Sequence, residues 1–415
     1  MEKLLERFLR YVRVGTAADD KSDSCPSTRG QLLLANMLVE EMKEIGISDA
    51  EVDENGYVMG TIEGNAGKHV PAIGFIAHLD TSPEMPGDNV NPLVHHNYKG
   101  GELVLNREKN IVLSPEDFPE MNRYAGQTLI TTDGTTLLGA DNKAGIAEII
   151  TAADIILNSS EIRHGKIRIC FTPDEEIGRG ANRFNVKKFG AEFAWTVDGG
   201  EVGSLEYETF NAATATLTIQ GKSIHPGSAK NQMINSIGVA NEFCSMLPPS
   251  EKPEHTEGYE GYFHVFDFKG GVDTTVMRIL IRDHSEKNFQ ARKQKVRSIA
   301  DWLNMKYGDN RVAVSIRDEY FNMRQKIEPF MHVVNIAEEA IRNCGLNPII
   351  TPVRGGTDGA RLSYMGLPCP NLFTGGHNFH GRYEYIPLES MQKAVGVICE
   401  IVKLVSEYKN GKHEK

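Results

Sequence analysis

Five short segments of the sequence place a histidine or carboxylates directly after a strand-like apolar run. They are Phe75-Ile76-Ala77-His78-Leu79-Asp80, Leu138-Gly139-Ala140-Asp141-Asn142, Thr172-Pro173-Asp174-Glu175-Glu176, Thr196-Val197-Asp198-Gly199-Gly200 and Gly375-Gly376-His377-Asn378-Phe379-His380. In an open α/β sheet the crevice beyond the strand ends is where ligands bind. Imidazoles and carboxylates converging there would repel and desolvate badly unless cations held them together, so the grouping points to metal. Taken singly, each segment has an ordinary explanation. An acid after a strand forms a turn or caps a helix, which would account for Asp141 or for the dipeptide Asp198-Gly199. Taken together, mostly Gly-flanked and all at strand ends, the five read as one site.

Spacing refines the chemistry. His78 and Asp80 are i and i+2 in extended chain and share a face, so Asp80 can fix the tautomer and orientation of a ligating His78. Glu175 and Glu176 are neighbours and point apart; one can bind metal while the other stays free as a proton carrier. Adjacent anions and partial burial would raise the free carboxyl towards neutrality, as a general base requires. His78, Asp141, Glu176, Asp198 and His380 make five ligands, too many for one catalytic zinc with an open position. Two ions sharing a carboxylate fit better. A set of two His and three carboxylates without thiolate suits Zn²⁺, with Co²⁺ and Mn²⁺ chemically admissible.

The elements that must position these groups follow from periodicity. Leu4, Leu5, Phe8, Leu9 and Val12 recur at helical spacing, and a second helix is predicted over 29–45. Thr28-Arg29-Gly30-Gln31 reads as a capping box before it, and Gly46 as its end. Val70–Ala77, Lys166–Phe171, Phe193–Val197 and Pro370–Phe373 read as buried strands, and Ala144–Leu157 as an amphipathic helix between two of them. This is an α/β pattern: a mixed, largely parallel sheet flanked by helices. From 208 the pattern changes. Ala213–Gln220, Tyr262–Lys269, Thr275–Asp283 and Arg311–Asp318 read as strands, with helices over Gln232–Leu247 and Glu286–Tyr307. The order β-α-β-β-α-β is a complete ferredoxin-like α+β unit. The α/β pattern then resumes with a helix at Pro329–Cys344. The expected organisation is a catalytic domain of residues 1–207 and 321–415, with residues 208–320 inserted as a smaller lid or dimerisation domain. Residues 86–132 read as hairpins and loops, and Tyr408–Lys415 as a frayed polar tail.

Composition excludes some functions. The chain of 415 residues carries a net charge of −11, which argues against a general nucleic-acid or anionic-membrane binder. No apolar run approaches the roughly 18 residues of a membrane helix. The charged first residues form no signal-peptide core, and the six cysteines are far apart with no CxxC, so a cytoplasmic location is expected. His95-His96, in a loop without acidic partners, reads as solvated.

The motifs AHLDTSP, LLGADNKAGIAE, TPDEEIGRGA, TVDGG, GKSIHPGSAKN, RGGTDGARLS and GGHNFHG, in this order and over nearly the whole chain, resemble the tripeptide aminopeptidases of the peptidase T family. These sit within the clan of co-catalytic zinc exopeptidases that includes aminoacylase and glutamate carboxypeptidase. The resemblance implies one metal held by His78 and Asp198, the other by Glu176 and His380, and Asp141 bridging. It makes Asp80 the group that orients His78, Glu175 the general base, and small peptides the substrates. Relatives commonly carry Asp after the bridging residue where this chain has Asn142, which puts only a supporting contact in doubt. His225, which follows a strand in Ser223-Ile224-His225-Pro226-Gly227, is a candidate oxyanion donor. The resemblance brings it to the site from a partner subunit of a homodimer or by domain closure; otherwise it is an exposed loop histidine. Arg282 and Arg354 are candidate forks for a peptide's C-terminal carboxylate, although Arg282 reads equally as a solvated strand residue. Competing expectations are another amidohydrolase of the clan (dipeptidase, deacylase or carboxypeptidase) and a catalytically silent metal-binding module.

Overall fold

The computed structural model describes residues 2–66 and 70–408, so the tail beyond Tyr408 lies outside the described residues. Two compact units share the chain. The first comprises Met1–Tyr207, Gln325–Thr351 and Thr357–Lys415; the second comprises Glu208–Arg324 and Pro352–Gly356. The principal strands are β1 (Glu51–Val52), β2 (Val58–Ile62), β3 (Ile73–His78), β4 (Ile167–Thr172), β5 (Phe193–Gly199), β6 (Ser204–Glu206), β7 (Asn211–Gln220), β8 (Tyr262–Gly270), β9 (Thr274–Asp283), β10 (Val312–Tyr320), β11 (Ile349–Ile350) and β12 (Asn371–Phe373). The principal helices are α1 (Glu2–Val12), α2 (Arg29–Glu44), α3 (Ala140–Leu157), α4 (Ser236–Met246), α5 (Glu286–Tyr307), α6 (His332–Asn343), α7 (Asp358–Tyr364) and α8 (Leu388–Glu407).

The first unit is built on an eight-stranded sheet in the order β1-β2-β4-β3-β5-β12-β6-β11. Its centre is parallel: β3 runs with β4 and β5, and β5 with β12. Antiparallel pairs flank the centre, β2 with β4 and β6 with β12. Every residue of β3 is buried, which is why this strand reads as an unbroken apolar run rather than an alternation. α3 packs against β3, β5, α1 and α8, so nearly all of its residues are buried. The half-exposed character expected of Ala144–Leu157 is therefore not found; a helix covered on several sides has little polar face to show.

Local chemistry shifts other boundaries. Gln31 does not close the expected capping box on Thr28, whose side chain makes no cap hydrogen bond. Its amide donates instead to Asp174 at 2.7 Å, a buried carboxylate and a stronger acceptor. The helix expected from Gln232 begins at Ser236, where the Asn235 side chain accepts from the Ile237 N–H. That expected from Pro329 begins at His332, after a 3₁₀ turn at Glu328–Phe330. Within 86–132, Leu103–Asn106 and Ile111–Leu113 form a hairpin. Leu129–Thr131 pairs with Leu93–His95 and with the distant strand Tyr385–Pro387. His95 thus lies on a strand, its Nε2 3.0 Å from Thr131 Oγ1, rather than in a solvated loop.

The second unit is an antiparallel sheet in the order β8-β9-β7-β10, traced as β7-α4-β8-β9-α5-β10. Leu217, Ile219, Phe243, Met277, Ile279, Phe289 and Leu303 fill its core between sheet and helices. Among the described residues no helix is long and apolar enough to cross a membrane.

Candidate metal centre

The site lies in the first unit, where strand ends deliver side chains to one place. β3 ends at His78, which is buried. Its Nδ1 is 2.9 Å from the Asp80 carbonyl oxygen and 3.4 Å from the Asp80 carboxylate. Its Nε2 faces Asp141 Oδ1 at 2.9 Å and Asp198 Oδ1 at 3.4 Å. Asp198 comes from the end of β5. Asp141 belongs to the first turn of α3, but that turn is interrupted: Asp141 has ψ 102° and Asn142 φ −123°, neither helical. His380 has φ 62°, a left-handed conformation uncommon outside glycine though more open to His than to most residues. Its Nε2 reaches Glu176 Oε2 at 3.0 Å and Asp141 Oδ2 at 3.2 Å.

Two triads result, His78-Asp141-Asp198 and Asp141-Glu176-His380, with ligand atoms in each within 4.8 Å of one another. Asp141 belongs to both, one oxygen facing each side. The donor set fits two divalent cations: two imidazoles, three carboxylates and a buried Glu176 Oε1 that has no hydrogen-bond partner among the described residues.

Electrostatics follow from crowding. Burial works against a charged His380, but hydrogen bonds to Asp141 and Glu176 override it and raise its pKa to about 11. Burial likewise opposes charge on His78, and the nearby carboxylates of Asp198, Asp141 and Asp80 still raise it well above the usual imidazole value. Asp141 pays a burial penalty too, yet the hydrogen bonds from His380 and His78 hold it below the ordinary carboxylate range. Burial pushes Asp198 up to about 6 and, aided by the charge of Asp141, Glu176 up to about 7. Protein groups alone therefore balance the excess anions with protons, on imidazole and on carboxyl groups alike. Ligation by those nitrogens requires the protons to leave.

Around the triads, Asp80 has a second task that the sequence does not disclose. Its two carboxylate oxygens accept from the Glu175 and Glu176 N–H groups at 2.9 and 3.0 Å. One buried side chain thus sets both the His78 ring and the carboxylate pair. Glu175 stands outside both triads, and Oε1 accepts from the Asp358 N–H at 3.2 Å. Burial, with added push from Asp358, Asp198 and Glu176, raises its pKa well above the carboxylate range despite the opposing charge of His78. The Asp358 carboxylate accepts from Thr172 Oγ1 at 2.7 Å. Asp174, at φ 58°, accepts from Ser27 N and Gln31 Nε2 and so anchors the Glu175-Glu176 turn. Asp358 and Asp174 stood within the sequence motifs without an assigned role. The side chain of Asn142 is fully buried, and neither its oxygen nor its nitrogen has a partner among the described residues.

The three expected substrate residues belong to the second unit. His225 is exposed, and its Nδ1 accepts from the Gly227 N–H. Arg282 is buried rather than solvated: it donates to the carbonyls of Ala213 and Ile281 and pairs with Glu319 at 3.1 Å. Arg354 donates to the carbonyls of Gly258 and Glu260 and to Thr256 Oγ1, and lies over the rings of Phe210 and Tyr262.

Comparison with known proteins places this arrangement. The sequence pattern of peptidase family M20/M25/M40 matches residues 131–404. The chain is 58% identical over 406 residues to peptidase T of Geobacillus thermodenitrificans, covering 98% of this chain and 99% of that one. A tripeptidase from Staphylococcus aureus superposes with a TM-score of 0.78 at 23% identity, over 98% of this chain and 99% of its own. Aminopeptidase PepT from Bacillus cereus gives 0.76 at 22% identity, over 97% and 98%. The chain belongs to peptidase family M20/M25/M40 and, within it, groups with the peptidase T proteins.

Proposed function

We propose that the chain is a dinuclear metallo-aminopeptidase that removes the N-terminal residue of tripeptides. The observation that carries the chemistry is the pair of triads sharing Asp141, with Glu175 beside ligand Glu176 yet outside both. The names of the similar proteins, peptidase T, tripeptidase and aminopeptidase, support the substrate class.

In this reading His78, Asp198 and Asp141 hold one cation, and Glu176, His380 and Asp141 the other. Zn²⁺ is the expected ion, with Co²⁺ or Mn²⁺ able to replace it. When bound, the two cations supply Lewis acidity, making a nucleophile available at neutral pH and drawing charge from the scissile carbonyl. Glu175 accepts the nucleophile's proton; the Asp358 N–H occupies its Oε1, which leaves Oε2 for the transfer. Its place beside ligand Glu176 but outside both triads suits it to hold that proton and then deliver it to the leaving amine. Asp80 keeps His78 oriented and the Glu175-Glu176 backbone fixed. His225 donates to the oxyanion from a partner subunit or by domain closure, and Arg354 or Arg282 meets the substrate carboxylate after giving up its present acceptors. We assign the chain to the cytoplasm as a homodimer. All six cysteines being unpaired thiols supports the first; the second rests on the sequence resemblance.

The test is a panel of tri-, di- and N-acetylated peptides run on one preparation whose metal content is measured. Two ions per chain and cleavage confined to free-amine tripeptides are expected. Strong cleavage of N-blocked substrates would assign a deacylase or carboxypeptidase instead. Two ions with no hydrolysis would mark a silent metal-binding module.

A further inference from the structure

Asp141 must sit with one oxygen towards each triad, and its own helix does not put it there. The first turn of α3 breaks at Asp141 and Asn142, and the N–H groups that open a helix have no partner within it, so acceptors must come from elsewhere. Glu384 supplies the acceptors. Its Oε2 takes the Leu138 N–H at 2.7 Å and the Gly139 N–H at 2.8 Å, and its Oε1 takes the Asp141 N–H at 3.1 Å. Glu384 is 1% exposed, and the fully buried Lys143 ammonium interacts with it electrostatically. Three charge-assisted bonds to one turn, with the Lys143 charge nearby, offset part of the cost of burying the carboxylate.

The backbone of Glu384 is equally constrained. His377 and Tyr385 exchange hydrogen bonds at 2.9 and 3.1 Å, closing the loop 377–385 that carries both His380 and Glu384. One closed loop therefore presents a ligand imidazole to Asp141 Oδ2 and a carboxylate to the amide of the same residue. Gly139, at φ 80°, lets the turn fold back so that its N–H and that of Leu138 meet one oxygen.

We infer that Glu384 is a positioning residue: by clamping the Leu138–Asp141 turn it fixes Asp141 where a single carboxylate serves both triads, and it locks that turn to the loop bearing His380. The inference rests on the dinuclear reading above. Its function is to hold the inter-ion bridge before any cation arrives.

The test uses the full-length protein reconstituted with Co²⁺. Glu384→Gln keeps the shape but replaces one acceptor by a donor that faces an N–H. The second Co²⁺ should bind about 10- to 100-fold more weakly. The magnetic exchange between the two ions, read by EPR, should be lost, and kcat should fall with KM nearly unchanged. Glu384→Asp keeps the charge without the reach and should not rescue. Retention of both ions, their exchange coupling and kcat in Glu384→Gln would overturn the inference, even if the melting temperature fell. Should neither variant fold, amide exchange in the wild type decides. Slow exchange at Leu138, Gly139 and Asp141 with chelator present is expected; protection appearing only after cations are added would refute a preset clamp. A wild-type protein with a single or uncoupled Co²⁺ would sink the dinuclear reading itself and this inference with it.

Discussion

At the scale of single residues, the division of labour between Glu175 and Glu176 is the sharpest claim. Glu176 lies in a triad and Glu175 in neither, so Glu175→Gln should keep both ions while kcat falls about 10²- to 10⁴-fold. Metal analysis and steady-state kinetics on the same sample check this; near-normal turnover at full occupancy would remove Glu175 from the mechanism. A pH dependence follows from the histidines. The pKa values of His78 and His380 are both raised, so below those values each imidazole keeps a proton that a ligating nitrogen must lose. Cation affinity should therefore climb as pH rises through neutrality, with protons released on binding. Calorimetric titrations in two buffers of different ionisation enthalpy measure that release, and identical heats would contradict it. The residues brought together here were legible in the sequence because each follows an apolar run and most neighbour glycine. Asp80's grip on the Glu175-Glu176 backbone, the Asp174 anchor and the Glu384 clamp were not. Their partners are backbone N–H groups or side chains far along the chain, which no local spacing reveals.

At the scale of elements, close approach and buried charge make the argument. A Cβ on Gly145 would lie 2.1 Å from the Val197 carbonyl oxygen and 2.4 Å from Asn142 Oδ1. Gly145→Ala must therefore push α3 away from β5, next to Asp198. A loss of about 1–3 kcal/mol is expected from urea unfolding, together with weaker cation binding. The helices are stapled by Arg7, which is 5% exposed and pairs with Glu41 on α2 at 2.7 Å and Asp154 on α3 at 2.9 Å. Arg7→Met leaves Glu41 to Arg10 and Tyr11, and Asp154 to Lys3 and Asn158, and should cost about 3 kcal/mol, the low end for breaking a buried pair. An unchanged urea midpoint would show that these partners suffice. Periodicity predicted strands and helices well where packing agrees with local preference. It failed at Gln31, where a buried carboxylate outcompeted the helix end, and at Tyr385–Pro387, whose partner Leu129–Thr131 lies far back in the chain.

At the scale of the whole molecule, the proposed role of His225 as an oxyanion donor across a dimer has a direct test. Glu175→Gln and His225→Ala variants, each expected to lose activity alone, provide it when mixed and allowed to exchange subunits. If His225 acts across a dimer, the mixture regains activity, because one site in each mixed pair has an intact Glu175 and an intact partner histidine. If it acts within its own chain, no mixture recovers. The sheet order carries one more consequence, for how the protein is made. By residue 199 a nascent chain already contains His78, Asp141 and Asp198, together with β1 to β5, but β12 belongs beside β5 and arrives only after the second unit has been synthesised. Until then β5 is an open parallel edge. On the ribosome, the three residues of one triad are present early, while the other triad awaits His380. The nascent edge is where a chaperone has most to protect.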